Sequence, residues 1–114
     1  MWVDWSTYRA RILVTGASTW PKGERRGWRG SLREHDILFC LSGKGALKGK
    51  ADREIPLAAG TCLWLTPGRL YRAHQDPDDP CRNYFIHFEL LDSKGNVRPY
   101  DPARNRNGVA RFEE

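Results

Sequence analysis

An all-β fold, a small barrel of jelly-roll type with little or no helix, is what this sequence of 114 residues predicts. Three observations predict it. From His35 to Glu89 the chain is a series of short apolar runs, each closed by glycine or proline. The runs are too short for helices and are bounded by turn signals, as buried strands are. Over Arg82–Leu91 the side chains alternate, with Asn83, Phe85, His87 and Glu89 on one face and Tyr84, Ile86, Phe88 and Leu90 on the other. Strand side chains repeat every two residues, so these are real faces. Finally, no segment sustains the 3.6-residue period of an amphipathic helix.

The elements follow in order. Residues 1–10 hold Trp2, Trp5 and Tyr8 without a period and read as an N-terminal arm. Arg11–Thr15 is a β-branched run that stops at Gly16, hence a strand. Ala17–Gly27 is polar, with Pro21 and Gly23, and reads as a loop. Trp28–Leu32 is a weaker strand. Asp36–Leu41 is a strong one, and the Ser42-Gly43-Lys44-Gly45 that follows offers the positive φ a tight hairpin needs. Ala46–Lys50 then returns, Asp52-Arg53 turns, and Glu54–Leu57 leads through Ala59-Gly60 into the strand Thr61–Thr66. Pro67-Gly68 carries the residues of a type II turn. Tyr71–Gln75 is a short strand, and the two prolines of Asp76–Pro80 make that segment a loop. Arg82–Leu91 is expected to be the longest strand. Residues 92–114 read as a surface excursion leading to a linker, with one more pairing at Val109–Phe112.

Size and composition narrow the class. A chain of this length makes one domain and can bury roughly 65% of its unfolded surface, enough for a core without staples. Hydrophobic residues are 39% and charged residues 29%, as in soluble globular proteins. No apolar run nears the ~18 residues of a membrane span. The first residues lack the pattern of a secretory signal, so a cytoplasmic location is expected. The three cysteines, Cys40, Cys62 and Cys81, show no metal or redox spacing, and Cys40 and Cys62 read as small core residues. Net charge is +5. Residues 1–57 hold 11 basic and 6 acidic side chains, whereas residues 58–114 hold 8 of each. The excess includes Lys22, Arg25, Arg26, Arg29 and Arg33. That cluster reads as a solvated loop or a seam facing an acidic partner domain. Direct nucleic-acid binding, driven by phosphate neutralisation, is a further reading, but no recognition helix or nucleic-acid motif accompanies it.

Taken together, Gly43-x-Gly45, Gly60 followed by Pro67-Gly68, the acidic loop Asp76–Pro80 and the ending Ile86-His87-Phe88 resemble the N-terminal sensor domain of AraC/XylS-type transcription regulators. The resemblance covers roughly residues 10–91. It implies a cupin barrel over 11–91 that binds a small effector, such as a sugar, and helps form a homodimer. It also implies that DNA is bound only through a C-terminal helix-turn-helix domain absent from this chain. Metal-binding cupins place two histidines and a glutamate near the first hairpin and a histidine after the Pro-Gly turn. Here the first strand is apolar and the later position is Tyr71, a poor ligand for divalent metals. No metal, cofactor or catalytic residue is therefore expected, and the pocket should work by shape and sparse hydrogen bonds. Alignment of the Ile-His-Phe ending puts Asn83 and Phe85 at effector-contacting positions. His87 lies on the same face, Tyr71 could donate into the cavity, and Arg29 could supply a charge. The ligand-binding set is thus Arg29, Tyr71, Asn83, Phe85 and His87. The apolar opposite face suggests an interface. Two other functions stay open: a stand-alone cupin enzyme of sugar isomerase or lyase type, using His87 and Glu89, and an interaction module with a filled barrel.

Overall fold

A computed structural model of the chain describes residues 8–23, 26–31, 33–49, 53–97 and 109–111. Among them are nine strands and no helix: β1 (Arg9–Thr19), β2 (Arg26–Ser31), β3 (His35–Ser42), β4 (Gly45–Lys48), β5 (Glu54–Leu57), β6 (Cys62–Leu65), β7 (Leu70–Gln75), β8 (Arg82–Leu91) and β9 (Val109–Arg111). They form two antiparallel sheets, one in the order β1-β8-β3-β6-β9 and one in the order β2-β7-β4-β5. The chain crosses repeatedly between the sheets, which is the wiring of a cupin jelly roll.

The apolar periodicity explains what lies between the sheets. Cys40, Leu63 and Leu65 of the five-stranded sheet meet Leu47, Leu57, Tyr71 and Ala73 of the four-stranded one, with Cys81 beside them. Burial pushes the Cys40 thiol up, and burial and neighbouring Cys40 push that of Cys81 to about 12. These thiols therefore fill space and stay protonated. A second cluster lies on the far face of the larger sheet, where Trp64, Phe88 and Leu90 pack with Tyr8, Ile37 and Ile86. There the Trp64 indole donates to His35 Nδ1 at 3.0 Å, and the His35 ring stacks on Phe88 at 5.1 Å.

Several sequence expectations are corrected. The glycines after β3 do not make a hairpin between paired strands, because β3 pairs with β6 and β8 while β4 pairs with β5 and β7. Gly43 does take a positive φ of 93°, but it turns the chain from one sheet to the other. The segment expected to be a loop from residue 17 begins as strand, since β1 runs on to Thr19. β1, with 11 residues, is longer than β8, with 10. Its register slips between Ile12 and Val14, which marks a bulge at Leu13. The expected arm falls outside the described residues up to position 7, and so do Trp2 and Trp5. The expected last pairing is present, with β9 on β6.

Candidate functional site

Between the sheets lies a cavity of about 260 Å³, open on one side. Its walls are mostly apolar: Leu38, Leu47, Leu65, Ala73, Trp20 and Phe85. Ser18, Asp36 and His87 supply the polar part of the lining. Register explains the grouping. Asp36 pairs with His87, Leu38 with Phe85 and Cys40 with Asn83 across β3 and β8. Ser18 and Gly16 of β1 pair with Asn83 and Phe85 from the other side. Alternation then sends these side chains to the inner face.

Gly16 has a packing role. A Cβ there would stand 3.0 Å from the tip of the Phe85 ring. The ring therefore rests on bare backbone, and the space above it stays open.

The polar end is a short array. His87 Nδ1 lies 2.9 Å from Glu34 Oε1, and its Nε2 lies 3.5 Å from Asp36 Oδ2. The imidazole thus spans two carboxylates, which it can serve with both nitrogens as donors only when protonated. Asp36 is 8% exposed, and its Oδ1 has no hydrogen-bond partner among the described residues. Burial pushes its carboxyl up from 3.8 to about 6; His87 pulls it down and Glu34 adds to the rise. An acid so placed changes charge in a pH range where ordinary aspartates are fully ionised.

Of the residues expected from sequence, the structure brings Phe85 and His87 together at the cavity, with rings 5.4 Å apart and edge to face. Asn83 sits two residues before Phe85 on the same face, fully buried, with neither amide atom partnered among the described residues. Tyr71 belongs to the core, and its hydroxyl accepts from Thr66 N–H at 3.0 Å and meets Thr66 Oγ1 at 3.2 Å. Arg29 falls on β2 opposite Arg72, and its side chain lies outside the described residues. Glu89 is held by Arg11. Sequence reasoning missed Asp36, Glu34, Ser18 and Trp20. The one available signal was Asp36 itself, an acid in phase with Leu38 and Cys40 on the inner face of an apolar strand. Among the described residues no three His, Cys, Asp or Glu side chains converge to hold a metal ion.

Comparison with known proteins bears on the family and the fold. The MmsAB operon regulatory protein of Pseudomonas aeruginosa is 33% identical over 57 residues, which is 47% of this chain and 19% of that protein. The chain thus spans about a fifth of the length of that relative. Among solved structures, YhaK of Escherichia coli superposes with a TM-score of 0.65 at 15% identity, over 90% of this chain and 42% of its own. A cupin protein of Bacteroides fragilis gives 0.51 at 23% identity, over 75% and 70%. ToxT of Vibrio cholerae, in a structure with bound unsaturated fatty acid, gives 0.53 at 10% identity, over 78% and 32%. At these identities the structural likenesses establish the cupin fold. The model of the AraC-like ligand binding domain matches residues 17–98, most of both sheets and every residue of the cavity lining, and the chain belongs to that family.

Proposed function

We propose that the cavity between the sheets holds a small effector, and that its occupancy is passed to a DNA-binding region of a longer transcription regulator. The observation that carries this is the cavity itself: a mostly apolar space of about 260 Å³ between the sheets, with Asp36 and His87 side by side in its lining. Ligand sites have this character. Membership of a ligand-binding family and the regulatory relative in Pseudomonas aeruginosa support the reading. So does a fold neighbour with a fatty acid bound. Phe85 forms a wall and His87 part of the polar end. Asn83 lies two residues before Phe85 on β8, and Tyr71 lies in the core between the sheets. The reading includes no catalytic step, because Glu89, once paired with His87 as a possible acid and base, is engaged by Arg11.

A homodimer is part of the proposal. On the far face of the larger sheet, Phe39 and Tyr84 are cross-strand partners with 38% and 51% exposure, an apolar pair that a second copy would cover. Sedimentation at rising concentration tests this, and a monomer throughout would remove the dimer.

Thermal unfolding with a small apolar molecule such as toluene tests the cavity. A ligand that binds only the folded state stabilises it by RT ln(1+[L]/Kd), about 2.7 kcal/mol at a hundred times Kd. Toluene should raise the melting temperature of the native chain. It should not do so in Ala73→Leu, whose larger side chain occupies the space. A native chain indifferent to toluene and to its polar analogues alike would mean the cavity is not a ligand site.

A further inference from the structure

The apolar walls accept many molecules of suitable size, but the polar end is selective. His87 has a carboxylate at each ring nitrogen, so its donors are committed. Asp36 lines the cavity, and its buried Oδ1 has no donor among the described residues. A buried acceptor left unsatisfied is costly, and a ligand that brings a donor removes that cost. Among the described residues, the cavity lining includes no lysine or arginine. With both carboxylates ionised, this end is net negative whichever form the imidazole takes. A carboxylate head would meet repulsion there, whereas an ammonium would be attracted.

Size sets the body of the ligand. A dry cavity of about 150 Å³ holds benzene. By proportion, 260 Å³ suits a molecule of roughly ten non-hydrogen atoms. Trp20 and Phe85 offer flat faces to a ring.

Resting on the reading that the cavity is the effector site, we infer that the effector is a small aryl or alkyl body carrying a hydrogen-bond-donating head, an amine or alcohol and not a carboxylic acid, seated on Asp36. The amine has the advantage of charge as well as of donors, since charge-assisted hydrogen bonds are about twice as strong as neutral ones.

Four molecules of similar shape separate the possibilities: 2-phenylethylamine, 2-phenylethanol, phenylacetate and toluene, each added to the full chain and followed by thermal shift and titration calorimetry. The amine should bind most tightly, the alcohol next, and phenylacetate ~10-fold or more weaker than the amine. In Asp36→Asn the amine should lose its advantage over toluene. Toluene affinity should stay within about twofold of native, which also reports that the variant is folded. Phenylacetate binding as tightly as the amine would overturn the assignment of the head while leaving the cavity reading intact. An unchanged amine preference in Asp36→Asn would remove Asp36 as the seat. Failure of all four, toluene included, would overturn the cavity reading and this inference with it.

Discussion

Gln75 and Asp36 are both buried polar side chains on inner strands, and their surroundings differ in one respect. Gln75, at the end of β7, uses its whole amide: Nε2 donates to the Pro21 carbonyl at 2.8 Å and Oε1 accepts from Cys81 N–H at 3.2 Å. Around it the chain is laced together, with Trp20 N–H on the Cys81 carbonyl, Gly23 N–H on the Pro77 carbonyl, Lys44 N–H on the Asp79 carbonyl and Asp76 N–H on the Lys44 carbonyl. Asp36, near the start of β3 and beside an open cavity, has one oxygen without a partner among the described residues. The first arrangement ties the connections at one end together, whereas the second keeps polarity available at a cost in stability. Burial of a polar group thus says little by itself about its role; the count of its partners does.

Substitutions at the two ends should break or sharpen this contrast. The largest effect is expected at Gly43 in the closed end. Its φ is positive, and a Cβ there would run into the Pro80 carbonyl. Gly43→Ala should cost about 3 kcal/mol or more, read by urea unfolding. Gln75→Leu comes next. It leaves the Pro21 carbonyl and Cys81 N–H without partners and should cost about 2 kcal/mol, with the same measurement deciding.

Asp36→Asn should act in the opposite direction. The Asp36 carboxyl is raised in the folded state, from 3.8 to about 6. The folded protein therefore binds this proton more tightly than the unfolded chain. The associated stability is present below pH 4 and is lost as pH rises through about 6. Asparagine has no such loss, so the variant should gain about 1–2 kcal/mol at pH 8 and almost nothing at pH 4. Equal changes at both values would show that Asp36 is not under this strain. The smallest change in stability, under about 1 kcal/mol, is expected for Gly16→Ala, because the obstructing atom is the tip of a ring that can tilt. The tilt takes up cavity space, so affinity for toluene should fall about tenfold, an outcome calorimetry can check.

The contrast also shows what the sequence makes legible. The strands announce themselves because their cues are local: apolar runs, turn residues and the alternation along β8. The pairing across sheets is not local. The Ser42–Gly45 turn looks like any hairpin, and only the burial of both faces decides that it bridges two sheets. Asp36 reads as an ordinary solvated strand end until β8, fifty residues on, brings His87 opposite it. Glu34 and Trp20 are hidden for the same reason, lying in what look like polar connections. Phe85 and His87 were accessible because both sit on a strand whose phase is plain.

The bulge at Leu13 bears on the solution behaviour of the protein. β1 is the outermost strand of its sheet, and Ile12, Leu13 and Val14 expose three successive apolar side chains there, 63%, 47% and 47%. A regular edge of that composition is a template on which another chain can add a strand. The extra residue interrupts the ladder and twists the edge at its greasiest point. Deleting Leu13 would leave Ile12 opposite Phe88 and Val14 opposite His87 in one unbroken register. The barrel would keep its pairings and lose its guard against fibril-like association.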